Sequence, residues 1–144
     1  MTNIIKSAVI AGGLTLLAYS SAIAGDTNHQ KILAKVNQYL SDSYTVDKAR
    51  SIADTVQDQD LLFKVAMAFA THGNPSNATW YASKLSDSDR QYEIAETVIR
   101  RGNPSNGRWL LQRMPDEYKT KGIELLIETG NPQNAKYLSN HLSK

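Results

Sequence analysis

The chain has 144 residues, no cysteine, and 16 basic against 14 acidic side chains. That balance provides no global field for nucleic acid or an anionic membrane. The missing cysteines exclude disulfides, thiol chemistry and a lipid on an N-terminal cysteine, so packing alone must hold the fold.

The first 24 residues read as a cleavable export signal, with one positive charge at Lys6, an apolar run from Ala8 to Ala18, and small residues ending Ala22, Ile23, Ala24. The run falls short of the ~20 apolar residues of a membrane span and is interrupted by Gly12 and Gly13. Cleavage after Ala24 is expected, with an uncleaved anchor as the alternative. Residues 25 to 144 then form one domain with its own core, periplasmic or secreted, with no membrane association after cleavage.

The first element after the signal is a helix from Lys31 to Leu40, where Ile32, Leu33, Val36 and Leu40 hold helical spacing. Further along, Gly-Asn-Pro-x-Asn recurs at Gly73 to Asn77, Gly102 to Asn106 and Gly130 to Asn134, spaced 29 and then 28 residues apart. A period of this size marks an array of supersecondary units. In the same register Ala49, Ile52, Ala53 and Val56 fall on Ala78, Tyr81, Ala82 and Leu85, then on Gly107, Leu110, Leu111 and Met114. The last copy supplies Ala135, Leu138, Ser139 and Leu142. Each set is the i, i+3, i+4, i+7 stripe of an amphipathic helix, here named the B helix of its unit. The A helices align Val65, Ala66, Phe69 and Ala70 with Ile94, Ala95, Val98 and Ile99, and with Gly122, Ile123, Leu126 and Ile127. Eight short helices in four hairpins follow.

The repeated motif suits the corner from A to B. Gly73 can take the left-handed backbone that ends a helix, Asn74 can cap the next one through its side-chain oxygen, and Pro75 fits the first helical position. Thr45 stands in the Asn place of the first unit, with Asp47 adding an acidic charge to the first turn. The B-to-A corners carry Asp58 and Asp60, Ser86 to Asp89, and Pro115 to Glu117, which are helix starts. No phosphate-cradling glycine spacing occurs.

Short antiparallel helix pairs with a small residue at one corner and Pro or Asp at the other resemble the tetratricopeptide-like class of α-solenoids over residues 27 to 142. The unit here is 28 to 29 residues against the usual ~34, and the Trp-x-x-Leu-Gly-x-x-Tyr spacing is absent. The resemblance implies an all-α, right-handed α-solenoid of about four hairpins with a surface for a protein or peptide partner.

The three histidines, His29, His72 and His141, are far apart in the chain, and no His-Glu-x-x-His, Gly-x-Ser-x-Gly or compact ligand cluster appears. No catalytic residue, cofactor or metal is therefore assigned. Asp54, Asp58 and Asp60 lack the central Gly and closing Glu of a calcium loop.

One position stands apart. Trp80, Trp109 and Tyr137 occupy the same place in three B helices, with Ser51 in the first, about 150° from the apolar stripe at 100° per residue. Packing between repeats is the expectation here, and an exposed aromatic binding row is the alternative. The A helices carry a mixed strip of Lys64, Met67 and Thr71, then Glu93, Glu96 and Arg100, then Lys121, Glu124 and Glu128. The tetratricopeptide likeness puts A helices on the groove, which makes Glu96, Arg100, Arg101 and Arg108 candidate partner contacts. The competing view is a solvated face with Glu96 and Arg100 as an i, i+4 pair.

The expected function is therefore an exported, non-catalytic helical-repeat protein that binds a protein or peptide. The alternatives are a small secreted effector or immunity-type inhibitor, and a carbohydrate-binding or hydrolytic domain using the Trp row with Glu93 or Glu96. A monomer is expected, or weak self-association through an apolar end near Leu138 and Leu142.

Overall fold

A computed structural model describes residues 26–143, so the expected signal over residues 1 to 24 lies outside the described residues. The chain divides into two compact units, Met1–Ala34 and Lys35–Lys144. The described part of the first is the start of helix α1, residues 26–40, in which His29, Ile32 and Leu33 are half-buried. In the second, α1 ends, a short 3-10 turn follows at Ser43–Thr45, and seven helices come after it. These are α2 Val46–Ala53, α3 Gln59–Thr71, α4 Pro75–Ala82, α5 Ser88–Arg100, α6 Pro104–Leu111, α7 Asp116–Glu128 and α8 Pro132–Ser139. The protein is all-α over its described residues, and α1, α3, α5 and α7 are the A helices that the spacing predicts, with α2, α4, α6 and α8 as the B helices.

Gly73, Gly102 and Gly130 have φ of 78°, 85° and 76°, the left-handed backbone the corner requires. Each closes a Schellman arrangement. At the first corner Asn74 N donates to Phe69 O at 2.9 Å and Gly73 N to Ala70 O at 3.4 Å, which satisfies carbonyls the ending helix leaves open. Proline follows at the first turn of α4, α6 and α8.

The asparagines do not cap as expected. No side-chain cap bond forms at Asn74, Asn103 or Asn131, whose ψ values are 68°, 60° and 56°. Those values fall short of the extended backbone that aims an N-cap oxygen at the N–H groups ahead. The amides turn back instead. Asn74 Nδ2 donates to His72 O, Asn103 Nδ2 to Arg101 O, and Asn131 Nδ2 to Thr129 O. They tie off the outgoing helix and not the incoming one. Thr45 also fails to cap α2: its ψ of 7° is far from the extended backbone of an N-cap, and its hydroxyl is turned to donate to Tyr39 O at 2.6 Å and Asp42 O at 3.0 Å. The other corners behave as read: Asp58 Oδ1 accepts from Leu61 N at 2.8 Å, and Asp87 Oδ1 accepts from Asp89 N at 2.9 Å.

From α3 onward each helix packs on the next and on the next but one, so every hairpin lies against its sequence neighbour. The expected stripes form the core, with Val65, Ala66, Phe69, Ile94, Ala95, Tyr81, Ala82, Leu110 and Leu111 at 3% exposure or less. Repeat positions exchange volume. Where the second unit has Ala70 and Ala78, the third has Ile99 and Gly107, and a Cβ on Gly107 would collide with Ile99 Cγ1 and lie 2.9 Å from Ala95 O. Between units, Ala82 and Ile94 become Leu111 and Gly122, and a Cβ on Gly122 would sit 2.5 Å from Leu111 Cδ1. The fourth hairpin has no such trade. Ala135 keeps its methyl and Ile127 is 61% exposed, whereas Leu138, expected at an apolar end, is fully buried.

Tyr81 joins the first two hairpins. Its hydroxyl donates to Asp54 Oδ1 at 3.0 Å and lies 3.3 Å from Arg50 O, while its ring packs 5.2 Å from that of Phe69. Burial, aided by Asp54, pushes the phenol up to about 12.

Two outcomes are expected. Gly122→Ile should lower stability by about 1 to 3 kcal/mol through overpacking, and adding Leu111→Ala should restore much of it by rebuilding the second unit's pair. Purely additive losses in denaturant midpoints would refute the volume exchange. Because the Tyr81 phenol is held above its ordinary value in the fold, its contribution is complete below pH 10 and lost as pH rises toward about 12. The stability advantage over Tyr81→Phe, about 1 kcal/mol near neutrality for one hydrogen bond, should therefore shrink over that window. A gap independent of pH would overturn this linkage.

Candidate functional site

The aromatic row lies on the surface, which corrects the expectation of burial between repeats. Trp80 is 52% exposed and Tyr137 45%, with Trp109 half-buried and Ser51 exposed. The physical reason is rotational: the stripe about 150° away already satisfies each B helix's contacts with its A partner and with the next hairpin. Trp80 and Trp109 stand one repeat apart and wall a groove of about 370 Å³ over α4 and α6. Arg108 also lines it, and Ser76, Thr79, Ser105 and Asn106 complete the lining. Asn106 Nδ2 donates to Ser76 Oγ at 3.0 Å across the two helices, and Thr79 Oγ1 donates to Pro75 O at 3.0 Å. This lining contains no carboxylate.

A second regularity accompanies the row and was not read from the sequence. Each ring has a basic side chain four residues on. Lys84 Nζ lies 5.1 Å from the Trp80 ring centre, Arg113 Cζ lies 3.8 Å from that of Trp109, and the His141 ring stacks on Tyr137 at 4.6 Å. Two of the three also bind the backbone under their ring: Arg113 Nη1 donates to Trp109 O at 2.7 Å and His141 Nδ1 to Tyr137 O at 2.9 Å. Positions 84, 113 and 141 share the 29 and 28 residue register, so the signal lay in the same alignment that exposed the row. The first unit lacks both members, having Ser51 and Thr55 there. Arg108 extends the pattern sideways, with its guanidinium 3.8 Å from the Tyr137 ring centre. Its Nε is buried without a hydrogen-bond partner, so the ring and not an acceptor holds it.

Charge is arranged differently on the A helices. Arg100 Nε donates to Glu96 at 2.8 Å, and its Nη1 to Glu128 at 3.0 Å, joining α5 to α7. Glu128 first and Glu96 second hold the guanidinium above its ordinary value, while Arg100 holds the Glu128 carboxyl below the usual range. Arg90 pairs with Asp60 at 2.6 Å, and Tyr118 donates to Asp89 at 2.8 Å. These contacts run from hairpin to hairpin. The structure thus brings Trp80, Trp109 and Arg108 together at one groove, with Tyr137 beside them, and places Glu96 and Arg100 in an internal pair elsewhere. Arg101 is the exposed C-cap residue of α5.

Among the described residues no group of three or more His, Asp or Glu side chains stands close enough to hold a metal, and no helix is long and apolar enough to cross a membrane. His72 Nε2 lies 3.2 Å from Asn37 Oδ1, a contact between α3 and α1. Compared with protein-family models, curated proteins and solved structures, the chain finds no match.

Both tryptophans of the chain belong to the row, so tryptophan emission, excited selectively over the tyrosines, reports this surface alone. In Trp109→Phe the remaining Trp80 should be quenched by acrylamide more strongly than the remaining Trp109 in Trp80→Phe, and neither should resemble a core indole. Two equally shielded indoles would contradict the exposed groove.

Proposed function

We propose that this is an exported, non-catalytic helical-repeat protein, a right-handed tetratricopeptide-like α-solenoid, that binds a protein or peptide through its B-helix face. The observation that carries this is the row of Trp80, Trp109 and Tyr137 at the surface, with a groove between the two tryptophans. Aromatic side chains left exposed at successive repeat positions have no role in the core, which is complete without them. Tryptophan, tyrosine and arginine are the residues that most often dominate a protein interface. The A-helix strip is the weaker candidate, since its central arginine is already neutralised by Glu96 and Glu128. Exposed pairs of that kind contribute little beyond local order.

Binding by the aromatic row separates this reading from a hydrolytic one. Hydrolysis of a glycoside requires two carboxyl groups flanking the bond. The groove lining has none, Glu93 is an exposed residue of α5, and Glu96 belongs to the Arg100 pair.

A random peptide library displayed against the immobilised protein tests the proposal. Wild type and the Glu96→Gln, Arg100→Gln variant should enrich the same sequences, and Trp80→Ala with Trp109→Ala should lose them at unchanged helical circular dichroism. Enrichment that survives loss of the tryptophans and fails with the A-helix variant would move the site to the other face. A library that yields nothing on wild type counts against peptide binding altogether.

A further inference from the structure

Three regions of the surface are open to a ligand. One is the apolar depression of the fourth hairpin around Ile123, Ile127 and Pro132, for which nothing in the structure indicates an occupant. Another is the hollow beside Tyr44 and His72, lined mainly by polar groups and backbone at a corner. The third is the row itself, whose charge and spacing say more than that it binds.

Charge comes first. Arg50, Arg90, Arg100, Lys119 and Lys121 each have a carboxylate within 4.0 Å. Among the described residues Lys84, Arg108 and Arg113 have none, and these three are the cations set against the row's aromatic rings. Lys31, Lys35, Lys48, Lys64, Arg101 and Lys136 also have none among the described residues, so what sets the row apart is that three such cations lie on its rings while no carboxylate lines its groove. At Trp80 and Trp109 a cation on one ring face leaves the edge and the opposite face for an apolar group, whereas Tyr137, with Arg108 on one side and His141 on the other, offers its edge.

Spacing comes second. Helix α6 packs on both α4 and α8, so the rings advance by about one helix-to-helix distance per repeat, roughly 8 to 10 Å. A chain that presents the same side chain at each step must repeat over that distance. Polyproline II does so, since it has three residues per turn and a rise of about 3.1 Å, giving roughly 9 Å per turn. An extended β-strand, with side chains of one face about 6 to 7 Å apart, falls out of step after one repeat. An α-helix laid across the row would place its side chains about 5.4 Å apart per turn.

From these two observations we infer that the row takes an acidic, proline-rich segment in the polyproline II conformation. It runs across α4, α6 and α8, with a proline at every third residue against Trp80, Trp109 and Tyr137. The acidic residues between them face Lys84, Arg108 and Arg113. Polyproline II is already extended and stiff in solution, so little conformational entropy is lost on docking. The first hairpin, with Ser51 and Thr55, lies outside the track, which sets its length at two steps or about six residues between the outer prolines. This inference rests on the proposed peptide-binding role of the row and deepens it by naming the ligand.

The test is a fluorescence titration of the purified protein with three synthetic peptides and one saccharide. The first peptide is three Pro-Pro-Glu triplets; the second replaces Glu by Lys; the third is an equally acidic Gly-Ser-Glu repeat. The saccharide is a linear oligouronate. The Pro-Pro-Glu peptide should bind roughly tenfold or more tightly than either other peptide, and Trp80→Ala or Trp109→Ala should each weaken it by roughly tenfold or more. Arg113→Gln should weaken it while Arg113→Lys keeps most of the affinity, a distinction that loss of folding would not produce. Equal affinity for the Gly-Ser-Glu peptide would overturn the inference in favour of charge alone. Binding of the oligouronate in preference to all peptides would overturn both it and the peptide reading. Row-dependent library peptides lacking proline would overturn the inference only and leave the proposed function standing.

Discussion

The left-handed glycine at each of the last three A-to-B corners is the constraint on which the rest of this protein depends. With φ between 76° and 85° at Gly73, Gly102 and Gly130, the chain reverses in the same way three times, and proline then fixes the first turn of the next helix. Because α4, α6 and α8 start from the same geometry, equivalent residues in them point in equivalent directions. The aromatic row is a consequence of that repetition. A residue with a Cβ held at this φ would cost about 1 to 2 kcal/mol per corner, and one that relaxed to a negative φ would turn its helix out of register with its neighbours.

Register alone does not make hairpins stack; volumes must match across each contact. The array meets this requirement by trading size between paired positions. Gly107 accepts the bulk of Ile99 and Gly122 that of Leu111. In a one-dimensional array each interface is a separate packing problem, so such exchanges are solved locally and need not be the same in every unit. Hydrogen bonds and ion pairs between hairpins follow the same rule: Tyr81 to Asp54, Asp60 to Arg90, Tyr118 to Asp89 and Arg100 to Glu128 each join neighbours. They stitch the A-helix side and the core. The aromatic row of α4, α6 and α8, by contrast, has Lys84, Arg108 and Arg113 set against its rings with no carboxylate of the described residues within 4.0 Å of them.

That asymmetry frames the functional proposal. A surface whose charges are mutually satisfied offers a partner little beyond contact area, because each new interaction must replace an existing one. A surface of exposed indoles and uncompensated cations offers both apolar area and charge without such exchange. The corrected asparagine role fits the same division: Asn74, Asn103 and Asn131 serve the ends of A helices, leaving the start of each B helix to its proline and backbone.

Much of this was legible from residue order. The period, the eight helices, the glycine corners, the buried stripes and the distinctness of Trp80, Trp109 and Tyr137 all followed from local rules: helical spacing, the φ freedom of glycine and the missing N–H of proline. The i+4 pairing of Lys84, Arg113 and His141 with that row was also present in the alignment, since it is a property of a single helix. Other features were decided only in three dimensions. Whether the row is buried depends on how far the neighbouring hairpin reaches around each B helix, and whether Asn74 caps forward or back depends on a ψ set by the corner. Which arginines are neutralised depends on carboxylates 28 to 30 residues away, as Glu128 lies for Arg100 and Asp60 for Arg90. Sequence fixes what each helix presents, because periodicity acts within it; the packing of one helix against the next decides what remains exposed and uncompensated.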